Sequence, residues 1–395
     1  MAAAKGGMGG DRPQRQPAMM RVPSGRAIPT QPGASLAGKD LTAFRRALLG
    51  WYDAHRRDLP WRKTRDAYRV WISEIMLQQT RVAAVLDHYR IFLERFPNIR
   101  ALAAAEEDAV LAAWSGLGYY RRARNLHQCA KEIVQSYRGR FPKTAEELRN
   151  LPGIGRYTGA AIASIAFDEP VAVVDGNVER VLQRFFAGEI DGKQGTGRSL
   201  KGDGGSLTVR QVWQQAQTLL ATARPGDFNQ AMMELGATVC LPREPRCASC
   251  PVRKWCVTQQ GNEAAPGAIP GARRDAGRGE MGPSMRQVKK NIWCVLNQRN
   301  GDVRLVQRGK KSALMPGMWE LPQVSEPSRP LLEDAQWRTF RHSITVTDYT
   351  VCVLRNRPLA GLARVGKGKW IAIESIPQMP ITGLTRKILK ASGII

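Results

Sequence analysis

Two carboxylates and four thiols stand in surroundings that call for explanation. Glu74 lies in "SEIMLQQTR" (73–81), among residues suited to being buried or hydrogen-bonded. Asp175 lies in "VVDGNVERV" (173–181), after two valines and before a glycine. Either could be a helix-end residue, Glu74 in a first turn favoured by the dipole and Asp175 capping a helix over 176–186. Cys240, Cys247, Cys250 and Cys256 are spaced C-x6-C-x2-C-x5-C. Thiolates so close in sequence can close round one metal centre, and soft sulfur selects zinc or an iron-sulfur cluster. Only Cys247 and Cys250 form a short knuckle of the kind zinc prefers, so the wide outer gaps favour the bulkier cluster. Arg243, Arg246, Arg253 and Lys254 lie between or beside these ligands, where a rigid centre would hold cations against phosphates. Cys129, Cys294 and Cys352 sit in apolar runs and read as core fillers.

The chain has 395 residues, enough for two domains with linkers. Lysine and arginine number 60 against 34 acidic residues, a formal charge of +26. That excess asks for a polyanionic partner, nucleic acid first. No apolar run is long enough to cross a membrane. Residues 1–39 are rich in Gly, Pro and Arg, lack a secretory apolar stretch, and read as a disordered basic tail. Cysteines crowded into one loop are no disulfide framework.

The elements that position these groups follow from periodicity. From Asp40, a plausible N-cap, Phe44, Leu48 and Trp51 share one helical face. A helix is expected from Ser73 to Glu94, with Ile75, Val82, Leu86 and Tyr89 inward. More are expected near 106–114, 121–137, 144–150, 155–166, 175–186, 207–223 and 228–237, so that 40–258 form one all-α domain. Thr144 and Glu147 have capping-box spacing. Residues 191–206 read as a surface loop and 259–286 as a linker. Residues 287–395 form a mixed α and β domain. Asn300-Gly301 marks a hairpin, further strands are expected at 345–354 and 369–373, and a helix is expected at 383–391.

"LPGIGRYTGAAIASIA" (151–166) reads as a hairpin in which Gly153 and Gly155 allow a tight turn. The free N–H groups of the following helix suit a DNA phosphate.

Taken together, "LPWR", "VWISEIMLQQT", "WSGLGYYRRARNL", "LPGIGRYTGAAI", "VVDGNVERV", "FNQAMMELG" and the four-cysteine loop resemble the helix-hairpin-helix DNA glycosylases, and within them the MutY-type adenine DNA glycosylases. "GMWELPQ" and "FRHS" resemble, more loosely, that family's Nudix-like C-terminal domain. The resemblance implies excision of adenine mispaired with 8-oxoguanine or guanine in double-stranded DNA, and a 4Fe-4S cluster at Cys240, Cys247, Cys250 and Cys256. Glu74 matches the acid that protonates adenine, its pKa raised by burial. Asp175 matches the ionised carboxylate that stabilises the sugar cation, and Asn177 is expected to orient the water or Glu74. Gln78 and Gln79 are expected to face the duplex gap, with Gln79 and Tyr119 as wedges. Trp61 and Arg62 match the rim of the adenine pocket, and Tyr120 reads as core. Tyr157 stands where the related endonuclease III type carries a Schiff-base lysine, which implies a monofunctional glycosylase.

The family's 8-oxoguanine reader, a Phe-Ser-His run, is replaced here by Ile344, Thr345 and Val346, leaving His342 and Thr345 as candidate contacts. The hydrolytic Nudix glutamates are absent, so this domain is expected to read rather than hydrolyse. The expected molecule is a monomer in the bacterial cytoplasm, held to the nucleoid through DNA. The competing readings are an endonuclease III-type pyrimidine glycosylase and lyase, and an iron-sulfur DNA-binding protein without catalysis.

Overall fold

The computed structural model describes residues 36, 38–186, 207–259, 288–312, 314–326, 336–344, 347–355 and 368–395. The expected loop at 191–206, nearly all of the expected tail and linker, and Thr345 and Val346 lie outside them.

The first helix, α1 (Lys39–His55), starts at Gly38 rather than at Asp40, which lies in its first turn. It buries Phe44, Leu48 and Tyr52, and the expected Trp51 packs half-buried beside them. The single helix expected from Ser73 to Glu94 is two: α2 (Ala67–Leu77) and α3 (Val82–Arg95). Asp66 caps α2 by accepting from the Arg69 N–H at 2.8 Å. From Val70 to Met76 every α2 residue is buried, because a helix apolar on all sides belongs in the interior. Helix α3 turns Val85, Tyr89 and Phe92 inward and leaves the expected core residue Leu86 36% exposed. The break between them falls at Gln79, which takes a left-handed φ of 55°.

What permits that break is Arg122. Its Nη1 donates to the carbonyls of Ile75 (2.8 Å), Met76 (3.0 Å) and Gln78 (2.7 Å). Those are carbonyls that the end of α2 leaves unpaired, and a cation there is also favoured by the helix dipole.

Then follow α4 (Ile99–Ala104), α5 (Glu107–Ala113), α6 (Arg121–Ser136), α7 (Ala145–Leu148), α8 (Arg156–Phe167), α9 (Gly176–Phe185), α10 (Val209–Leu219) and α11 (Pro225–Thr238). The Thr144–Glu147 capping box is present at the start of α7. One core packs side chains of α2 to α8, and a second packs α1 with α9 to α11.

The C-terminal domain holds two small sheets. In one, β1 (Val288–Leu296) runs parallel to β7 (Thr347–Arg355) and antiparallel to β5 (Gln323–Val324), with β6 (Gln336–Ile344) antiparallel on the far side of β7. In the other, β3 (Asp302–Gln307) pairs with β2 (Gln298–Arg299), β4 (Trp319–Glu320) and β8 (Lys369–Ala372). Asn300 and Gly301 join β2 to β3 with φ of 46° and 81°, the backbone that an Asn-Gly hairpin turn adopts. Helix α12 (Gly383–Ala391) buries Leu384, Ile388 and Leu389 against this domain's core.

Candidate active site

Glu74 opens the last turn of α2, not the first, and only 6% of it is exposed. It opens onto a cavity of about 850 Å³ lined by both halves of the helical domain. The same cavity takes in Asp175 at the start of α9, Tyr157 in the first turn of α8, and Trp61, Arg62, Gln78, Gln79, Tyr119 and Asn177. Residues far apart in sequence thus share one wall. Burial pushes the Glu74 carboxyl up to about 7. The negative charge of Asp175 adds to the rise, while the Tyr157 hydrogen bond and the Arg62 charge oppose it. The Tyr157 hydroxyl donates to Glu74 Oε2 at 2.6 Å. Burial, then the neighbouring Glu74, hold that phenol well above its ordinary pKa, so it stays a neutral donor.

Asp175 caps α9, accepting from the Val178 N–H at 2.7 Å. Its other oxygen accepts from the Asn177 amide at 3.0 Å. Asn177 therefore orients Asp175, whereas the sequence suggested the water or Glu74. The Asn177 side-chain oxygen Oδ1 accepts from Arg180 (2.9 Å), whose guanidinium also donates to Gly236 O (2.7 Å) and Cys240 O (3.0 Å). Gly236 is required by this proximity, since a Cβ there would stand 2.7 Å from that of Asn177. The site carboxylate is thereby tied to the cysteine loop.

The rim residues are more deeply engaged than expected. Trp61 is buried edge-on against Tyr89 at 5.4 Å, forming a wall and not a lip. Arg62 Nη2 is 2.7 Å from Oε2 of Glu234, a fully buried carboxylate that Arg57 also grips at 2.7 Å. Burial alone would raise the Glu234 pKa, but hydrogen bonds from Arg57 and Arg62 outweigh it and bring it down to about 2. Sequence reasoning missed Arg57, Glu234 and Arg122. Glu234 had a signal, an acid inside the apolar "FNQAMMELG", much as Glu74 had. Arg122 had none, because its partners are backbone carbonyls.

Gln79 and Tyr119 form two adjacent tips: both are exposed non-glycine residues with positive φ, 55° and 49°. The Arg122 guanidinium links them, lying 5.6 Å from the Tyr119 ring centroid while bonding the chain before Gln79. Gly153 has φ 76°, and a Cβ on it would stand 2.7 Å from that of Asn125. Gly155 caps α8 with no side-chain bond, leaving first-turn N–H groups for an anion. His342 lies on β6 opposite Tyr349 and does not line the cavity; Thr345 is outside the described residues. Tyr120 is buried, as expected.

The four cysteines line a separate cavity of about 50 Å³ together with Arg184, whose Nη1 is 3.4 Å from Cys240 Sγ. Among the described residues, no three His, Cys, Asp or Glu side chains are grouped as ligands of one metal ion. Four thiols around a shared void suit a thiolate-bound metal centre. Among the described residues no helix is long and apolar enough to cross a membrane.

Residues 72–201 match the HhH-GPD superfamily of base excision DNA repair proteins. Adenine DNA glycosylase of Rattus norvegicus is 41% identical over 346 residues, covering 75% of this chain and 64% of that protein. That of Homo sapiens is 40% identical over 340 residues, covering 75% and 60%. The chain thus spans less than two thirds of the length of these curated relatives. Of solved structures, a thermostable thymine-DNA glycosylase is 29% identical and covers 56% of this chain and 97% of its own, with a TM-score of 0.49.

Proposed function

With an HhH-GPD segment as its premise, we propose that this chain is a monofunctional adenine DNA glycosylase of base excision repair, acting on adenine opposite 8-oxoguanine or guanine. The observation that carries the reading is Glu74, a carboxyl shifted to about 7 in the cavity that also holds Asp175. At neutral pH such a group has a proton to give.

In the proposed reaction Gln79 and Tyr119 enter the base stack and the adenine turns out into the cavity. Unstacking costs a few kcal/mol, and fixed tips offset part of it. Glu74 transfers its proton to adenine N7. The bond from C1′ to N9 breaks with its electron pair going to the base. Asp175, fixed by Val178 and Asn177, sets negative charge against the sugar cation. Water adds at C1′ and yields a proton to the Glu74 carboxylate, restoring the acid. Arg62, fixed by the buried Glu234, provides a donor on the cavity wall for the base edge.

Among the described residues no lysine lines the cavity, which supports hydrolysis without Schiff-base strand cleavage and disfavours the lyase reading. Gly153, Gly155 and the free N–H groups of α8 would bind backbone phosphate. The four cysteines would hold a 4Fe-4S cluster, which stiffens the basic loop carrying Arg243, Arg246, Arg253 and Lys254. His342 and Thr345 on the C-terminal domain are the proposed contacts to the opposite base. The protein would act as a monomer on cytoplasmic DNA.

The test is base release from duplexes with adenine opposite 8-oxoguanine, guanine or thymine. Release from the first two, abolished in Glu74→Gln while duplex binding persists, is expected. A covalent adduct trapped by borohydride in high yield would sink the monofunctional assignment, and an unaltered Glu74→Gln protein would favour the non-catalytic reading.

A further inference from the structure

Tyr119 is at the tip of the loop 114–120, and this loop is gripped from two directions. From within the helical domain, Arg122 Nη2 donates to the carbonyls of Leu117 (3.2 Å) and Gly118 (3.3 Å). The second grip comes from the C-terminal domain. Ser115, 5% exposed, donates to Ile381 O at 3.0 Å and accepts from Arg386 Nε at 2.9 Å. The Tyr120 hydroxyl reaches Ile381 O at 3.3 Å and Ser115 Oγ at 3.4 Å. Arg386 is on α12, and Ile381 bridges to Trp319 of β4. The C-terminal domain thus holds the residues on both flanks of Gly116–Tyr119.

Adhesion alone does not need this cluster. Met318, fully buried, already inserts an apolar side chain into the core of the helical domain, and Arg124 Nη2 donates to Pro316 O at 2.6 Å. Burying a guanidinium and two hydroxyls costs desolvation that an apolar contact avoids. What directional hydrogen bonds add is a fixed register between the parts they join. Here those parts are α12 and the loop bearing an exposed aromatic with positive φ.

We propose that Ser115, Tyr120 and Arg386 form a latch through which the C-terminal domain positions Tyr119, so that the base opposite the adenine governs how the stack is opened. This rests on the adenine glycosylase reading above. Ser115 and Arg386 touch neither cavity nor substrate; they are positioning residues, and their effect should fall on discrimination rather than on chemistry.

The experiment is single-turnover adenine excision opposite 8-oxoguanine and opposite guanine by the full chain and by Ser115→Ala, Arg386→Met and Arg386→Lys. Expected is a fall of about three- to tenfold in the ratio of the two rates for the first two variants, the size of a typical coupling. The guanine rate and Tm should stay near the parent's, and Arg386→Lys, which keeps a donor, should lose less. An unchanged ratio, or two rates falling in step, would overturn the latch. If the parent excises adenine from neither duplex, the glycosylase reading fails and the latch is judged separately by 2-aminopurine placed beside the adenine. A greater fluorescence gain opposite 8-oxoguanine in the parent, lost in Ser115→Ala and Arg386→Met, supports it; equal gains in parent and variants overturn it.

Discussion

Tyr157 and Glu74, 83 positions apart in the chain, meet in a 2.6 Å hydrogen bond at the wall of the 850 Å³ cavity. The phenol engages one carboxyl oxygen, Oε2, of an acid that also lines the cavity. Burial raises the proton affinity of Glu74, and the phenol trims that rise. The acid is thereby poised near neutrality instead of being locked protonated.

Excision should fall as pH rises through about 7, because the proton to be transferred is lost there. Glu74→Gln should reduce the rate by about 10²- to 10⁴-fold, the usual worth of a positioned acid. Stability should move the same way. The folded carboxyl binds its proton more tightly than the unfolded chain does, so its contribution is complete below the ordinary value of 4.5 and is lost as pH rises through about 7. Relative to Glu74→Gln, the parent should therefore lose on the order of 3 kcal/mol between pH 4 and pH 8. Urea unfolding of both proteins across that range measures it.

Tyr157→Phe removes the hydrogen bond that holds the Glu74 pKa down. The alkaline limb of the excision profile should move to higher pH, with the fold retained. A limb that stays in place would show that the phenol does not tune the acid.

Glu234→Gln should leave Arg57 and Arg62 without their shared counter-charge, one of them almost wholly buried. The expected loss is about 3–5 kcal/mol at neutral pH, typical for breaking a buried ion pair. With its folded pKa near 2, Glu234 contributes above about 4.5 and loses that contribution as pH falls through about 2. The gap between parent and variant should close toward the acid end, which thermal unfolding at a series of pH values will show.

Gly153→Ala meets two obstacles, a φ of 76° and a Cβ placed 2.7 Å from that of Asn125. A cost of about 1–3 kcal/mol is expected from the backbone conformation and the clash. If the turn grips phosphate, duplex affinity should fall alike for matched and mismatched DNA. A loss confined to one mismatch would exclude that role.

Much of this was legible in the chain. The helices from 107 to 185 lie within a residue or two of their expected ends, because capping signals and 3.6-residue periodicity are local properties. The cysteine spacing and the Asn300-Gly301 turn are local in the same way. The α2–α3 break was not legible: Ser73 to Glu94 reads as one helix, and the interruption depends on Arg122 reaching back more than 40 positions to unpaired carbonyls. Leu86 was misplaced for the same reason, since an unbroken helix assigns it to the wrong face.

By itself, the sequence determined which residues carry chemistry: two acids in unusual company, four thiols, a glycine turn, and a basic excess suited to DNA. These are matters of residue type and short spacing. The tertiary structure alone decided what each group is. Whether Glu74 keeps a proton depends on its burial and on Tyr157 and Asp175 beside it, and whether Asn177 serves the acid or the anion depends on which oxygen it reaches. Such properties arise from desolvation and contact between distant segments, which no local pattern encodes.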